Sequence, residues 1–187
     1  RRRHTRYGTV TGVQTCALPI LTCVAVGLLF PLYSAGCFAE TEPDIDWNKR
    51  WLSINTLRDD GYLKDSLSLA DQTLISARKS LNDGNHLKYR ALFEYAATLY
   101  ALDHFSEAKK IIELSLALQS TNGQEKTLET IMNLELLARI QIAFAETGLA
   151  KTNLSKAMTI LESLPPQPEL KGRVLYSMAS LNRNLGQ

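Results

Sequence analysis

An apolar pattern returns every 42 residues along this 187-residue chain. Leu63-x2-Ser66-x3-Ala70-x2-Thr73-Leu74 recurs as Phe105-x2-Ala108-x3-Ile112-x2-Ser115-Leu116. It recurs again as Thr147-x2-Ala150-x3-Leu154-x2-Ala157-Met158, so that Ser66, Ala108 and Ala150 are 42 positions apart. A fixed long period calls for a stack of like units, each hiding its apolar face on its neighbours. Stacks of this kind usually serve as binding surfaces. The period therefore says what kind of protein this is, and leaves the partner unnamed.

Within each unit the spacing is helical, at i, i+3, i+4 and i+7. Leu92, Tyr95, Ala96 and Leu99 form one stripe. Leu134, Leu137, Ala138 and Gln141 occupy the same places one period later, and Leu175, Met178 and Ala179 repeat them one residue out of step. No long apolar/polar alternation calls for strands. Gly61, Gly84, Gly123, Gly148, Gly186 and the Pro165-Pro166-Gln167-Pro168 cluster punctuate the chain. Seven helices are expected, over 47–59, 64–82, 87–102, 106–119, 124–145, 149–161 and 168–185. Asp103 to Ser106 are expected to cap the fourth, through side-chain oxygens that satisfy first-turn N–H groups. Gly84 and Gly123 suit a left-handed helix end, and Pro168 suits a first turn. Trp47 and Trp51, at i and i+4, are expected to cover one end of the stack.

These residues resemble the tetratricopeptide repeat. The nearest unit is Leu92-x2-Tyr95-Ala96-x2-Leu99 followed by Phe105-x2-Ala108-x3-Ile112. Small residues at Ala96, Ala108, Ala138, Ala150, Ala157 and Ala179 would let paired helices approach closely. The common repeat is about 34 residues long; a 42-residue period resembles the longer-helix variety of kinesin light chains and bacterial regulators. The first unit is degenerate, with Trp51 and Ile54 slipped by one, and the closing Pro is missing from the first three units. Armadillo- or HEAT-like repeats, of about 40–47 residues, are the second choice. The resemblance covers residues 47–187 and implies an all-α, right-handed solenoid of antiparallel helix pairs, about three and a half repeats long. The fourth unit stops at Asn184-Leu185-Gly186-Gln187, where its second helix is due, so a continuation is expected.

The segments before residue 40 read differently. Residues 1–20 fit nothing that follows, and 10–20 (VTGVQTCALPI) resemble the translation of a sequencing-library adapter; they are set aside as non-native. Residues 21–33 are apolar apart from Thr22, broken by Pro31, and followed by Ser34-Ala35-Gly36, Phe38-Ala39 and acidic Glu40. Residues 21–39 therefore read as a signal-peptide-like segment with cleavage after Ala39, shorter than the run of about 20 residues that spans a bilayer. Ser34-Ala35-Gly36-Cys37 also resembles a lipoprotein box. All three cysteines, Cys16, Cys23 and Cys37, precede residue 38, so the 40–187 repeat domain is expected to hold no disulfide. Export to the periplasm follows as an expectation.

Setting aside the leader alters the charge. The whole chain has 21 basic and 19 acidic residues; without Arg1, Arg2, Arg3 and Arg6, 17 basic face 19 acidic, a net of −2. No basic field remains to attract nucleic acid.

No catalytic set stands out. His86 and His104 sit in expected turns without the convergent ligands a metal needs, and no phosphate loop or nucleophile elbow is present. Neither a cofactor, a metal nor an enzyme activity is expected of these residues. In the resembling family the first helix of each pair lines a groove. The matching positions are Arg90, Phe93, Glu94, Ala97 and Tyr100, then Glu135, Arg139 and Ile142, then Arg173, Tyr176 and Arg183. Arginine forks and rigid rings suit peptide recognition. The Lys/Asn clamp of chaperone-binding members is absent, since its places hold Phe93 and Ala97. By spacing alone, Phe93, Tyr95, Leu114 and Leu116 read as core. Three functions are compatible: a non-catalytic scaffold for a peptide or protein outside the cytoplasm, the sensory half of a membrane-bound diguanylate cyclase or histidine kinase, or a lipoprotein scaffold.

Overall fold

Three turns at the 42-residue spacing organise the chain. Gly61, Asp103 and Ala145 all have positive φ, at 84°, 61° and 59°. The following amide of each reaches back to an earlier carbonyl: Tyr62 to Leu57 at 2.8 Å, His104 to Leu99 at 2.9 Å and Glu146 to Gln141 at 2.8 Å. This is the left-handed closure that satisfies the orphan carbonyls of a helix end. Each turn reverses the chain into a helix hairpin.

The structure is a computed structural model that describes residues 45–186. The adapter-like run, the signal-like segment and Cys37 lie outside them. The described residues hold seven α-helices and no strand: α1 (Trp47–Asp59), α2 (Leu63–Ser80), α3 (His86–Ala101), α4 (Phe105–Thr121), α5 (Leu128–Ala143), α6 (Thr147–Glu162) and α7 (Pro168–Asn184). Pairs α1/α2, α3/α4 and α5/α6 are antiparallel hairpins. Along one layer α1 packs on α3, α3 on α5 and α5 on α7. The outer helices α2, α4 and α6 pack on this inner layer, with their backbones apart from one another.

Small residues permit that packing. Ser66, Ala108 and Ala150 on the outer helices and Ala96 and Ala138 on the inner ones are fully buried. Ala70, Ile112 and Leu154 fill the space one turn on, so the core runs as three joined clusters. The first is built around Trp51, Ile54 and Leu92, the second around Leu99, Ile112 and Ile140, and the third around Leu134, Leu154 and Val174. Trp47 and Trp51 stack with ring centres 5.7 Å apart, and Trp51 is buried in the first cluster.

Several local expectations need correcting. Asp103 does not cap α4: it holds the left-handed position, and His104 takes the cap place without a side-chain bond. Gly84 is not left-handed; α2 closes on Leu81 in extended backbone. Gly123 does take positive φ, at 68°. Helix α5 starts at Leu128 rather than at 124, because the Gln124 carbonyl accepts from Thr127 and Thr130 hydroxyls while Thr127 caps the Thr130 amide at 3.2 Å. On α7 the buried stripe is Val174, Ser177 and Leu181, 40 residues after Leu134, Leu137 and Gln141 and so two residues short of the period rather than one. Leu175 and Ala179 face solvent, as does Leu114 on α4.

Candidate binding site

Each inner helix sends side chains to one cavity of about 430 Å³. From α1 come Asn55, Arg58 and Asp59. From α3 come Arg90, Phe93, Glu94, Ala97, Tyr100 and Ala101, one face of a helix at 3–4-residue spacing. Helix α5 supplies Leu136 and Arg139, and α7 supplies Arg173. Four guanidinium groups thus converge from four helices.

Two buried carboxylates sit among them. The Glu94 side chain is 1% exposed and is held from both sides. Arg90 donates from Nε to Oε1 at 2.7 Å, and its Nη2 lies 2.6 Å from the same oxygen. Arg58 donates from Nη1 and Nη2 to Oε2, both at 3.2 Å, and also bonds Thr98 and Asn55. A sealed carboxylate survives only when its lone pairs are met by charge-assisted donors. On α5 the Glu135 side chain is 2% exposed. Its Oε2 accepts from Arg173 at 2.8 Å, and its Oε1 accepts the Ser177 hydroxyl at 2.7 Å. Arg139 approaches Oε1 only to 3.9 Å, beyond hydrogen-bond length.

Aromatic rings wall the cavity. The Arg139 guanidinium lies 4.6 Å from the centre of the Tyr100 ring, and Tyr100 leans on Phe105 at 5.2 Å. Arg90 and Arg173 flank the Phe93 ring at 5.7 and 5.8 Å. Cations over ring faces are held by the ring quadrupole without consuming their N–H donors.

Of the residues expected in the groove, Arg90, Phe93, Glu94, Ala97, Tyr100, Arg139 and Arg173 line this cavity. Glu94 and Glu135 differ from expectation in being buried, because neighbouring arginines draw them in. Ile142 packs against the third core cluster. Tyr176, 70% exposed, and Arg183 lie outside the cavity. The slip in α7 is two residues where one was read, which accounts for Tyr176: with Val174 and Ser177 turned inward, position 176 turns away. Phe93 is both nearly buried and a cavity wall, which periodicity alone does not separate. Sequence reading missed Arg58, whose unit is degenerate. Its signal was present nonetheless, since Arg58 stands 42 positions before Tyr100.

Among the described residues no three His, Cys, Asp or Glu side chains group as metal ligands, and no helix is long and apolar enough to cross a membrane. His104 stands 3.9 Å from Glu107 on the surface of α4, away from the cavity.

No family model and no curated protein matches the sequence. Solved structures do match. One is from Podosopora anserina, described as a putative kinesin light chain with nearly identical TPR-like repeats. It is 19% identical with a TM-score of 0.62, over 73% of this chain and 64% of that one. A single-substitution form of the same protein gives 0.61 at the same identity and coverage. BtubC (BKLC) from P. vanneervenii gives 0.58 at 19% identity, over 74% of this chain and 52% of the other. This chain thus spans less than two thirds of each. At such identity the likeness concerns the fold, which is a tetratricopeptide-like helical-repeat solenoid.

Proposed function

We propose that the repeat domain is a non-catalytic scaffold that binds an extended segment of a peptide or protein along its inner helix layer. A tetratricopeptide-like solenoid is a general protein-interaction scaffold, and this one carries the chemistry for the task on that layer. The observation that carries the reading is the cavity shared by α1, α3, α5 and α7. A segment lying across the inner layer meets all four helices there, with rigid rings and forked cations that recognise peptide groups at low entropic cost. Its volume falls within the range of about 300–1,000 Å³ that ligand sites occupy.

The test is a random-peptide display selection on the full chain. Retained peptides should bind at least tenfold more weakly to Arg139→Glu, with helix content unchanged by circular dichroism. Equal capture by the variant moves the site elsewhere; a selection that retains nothing ends the peptide reading. Export to the periplasm belongs to the same proposal and is supported by the apolar 21–33 run and the small residues before Glu40. Sequencing the amino terminus of secreted protein checks it, with Glu40 first as the expected result and an uncut chain as the contrary one.

A further inference from the structure

We propose that the Arg139–Arg173 end of the cavity is a carboxylate pocket, into which the partner places one acidic group. The partner's identity rests on the scaffold reading; the pocket rests on the count and geometry of charge. At the far end, Arg58 and Arg90 both grip Glu94 at 2.6–3.2 Å, and exposed Asp59, next to Arg58 on α1, adds a second carboxylate to the lining. At the near end, Arg139 and Arg173 share Glu135 alone. One positive charge is left over there, on side chains 39% and 43% exposed.

Donors are also spare on both side chains, which line the cavity. A guanidinium stays charged in proteins and presents its N–H groups as a rigid fork that matches a carboxylate. Arg173 spends one nitrogen on Glu135, and Arg139 reaches that carboxylate only at 3.9 Å. Tyr100 and Phe93 hold the two guanidinium groups at 4.6 and 5.8 Å from their ring centres, contacts that consume no N–H donor. Ser177 occupies Glu135 Oε1 from behind at 2.7 Å, which keeps that carboxylate from swinging out to meet both arginines. A surplus of one charge matches a carboxylate. A phosphate monoester, at about −1.5 to −2 near pH 7, overfills it.

The experiment follows arginine Nε–Hε resonances of the full-length, ¹⁵N-labelled chain. The probes are N-acetylglutamate amide, N-acetylalanine, N-acetylglutamine amide and inorganic phosphate. Saturable shifts are expected at Arg139 and Arg173 with the two carboxylates and with neither other probe, while Arg58 and Arg90 stay nearly still. The tighter carboxylate tells whether the partner offers an acidic side chain or a chain end. Arg139→Gln removes a long ion pair and the cation over Tyr100, both at an exposed side chain, and is expected to weaken binding about tenfold. Arg173→Gln also loosens Glu135 and serves as the second variant. The pocket is overturned by an absence of saturable shifts, by equal response at Arg58 and Arg90, by the glutamine probe binding as well, or by phosphate binding more tightly. Displayed peptides retained through motifs free of Asp, Glu and chain ends sink the pocket and leave the scaffold. Saturating probes with no retained peptide do the reverse.

Discussion

Glu94 and Glu135 lie on successive inner helices, each almost sealed from water, yet their surroundings differ. Glu94 is clamped by Arg58 and Arg90, whose side chains are only 19% and 28% exposed. Glu135 is held by one close guanidinium, one hydroxyl and one distant guanidinium, and its arginines are 43% and 39% exposed. The first arrangement ties α1 to α3 and has little charge to spare. The second ties α5 to α7 and leaves donors facing the cavity. One device, a buried glutamate between repeats, therefore serves cohesion at one end of the layer and leaves exposed cations at the other, where we propose recognition.

The largest effect expected is at the closed end. Glu94→Ala strands two partly buried cations and should cost about 3–5 kcal/mol in urea unfolding. Glu135→Ala should cost less, about 2 kcal/mol, because Arg139 and Arg173 can turn to water once released. Equal costs at the two sites would break the contrast. Ser177→Ala tests the open end alone. It removes a hydroxyl bond to a charged oxygen and should cost about 1.5 kcal/mol; no loss would mean the hydroxyl positions nothing.

The two halves also differ in their turns. Gly61 accepts its left-handed conformation freely, whereas Ala145 at the matching place between α5 and α6 does not. Ala145→Gly should therefore stabilise the chain by about 1 kcal/mol, read as a raised urea midpoint. A fall in stability would show that the turn carries no strain. The smallest change is expected for Arg139→Gln, about 0.5–1 kcal/mol, as befits an exposed ion pair at 3.9 Å and an exposed cation over the Tyr100 ring. A larger loss would make Arg139 a structural residue like Arg90 and erase the difference between the ends.

Much of the architecture could be read from residues alone. Helix order, pairing and the small positions Ala96, Ala108, Ala138 and Ala150 follow from a period that only stacked helix pairs satisfy. The turns were less legible. Ala145 gives no compositional sign of positive φ and Asp103 only a weak one, because the backbone bonds back to Leu99 and Gln141 impose it. Among the cavity residues, Arg90, Phe93, Tyr100, Arg139 and Arg173 stand on the expected face of their helices. Tyr176 does not, because the rotation of α7 is set by Val174 and Leu181 entering the core rather than by Leu175.

Repetition in the chain by itself determined a helical stack, since a pattern of small and apolar residues at fixed spacing has one economical way to hide its face. Tertiary packing decided which charges are spent and which remain. Glu94 and Glu135 look alike in sequence, one residue off the same slot, and both read as exposed groove positions. Their fates diverge because Arg58 and Arg90 arrive close enough to neutralise the first, while Arg139 stays over the Tyr100 ring and only Arg173 closes on the second. Charge pairing falls off over a few ångströms, and such distances are written in the packing of four helices, not in any one of them.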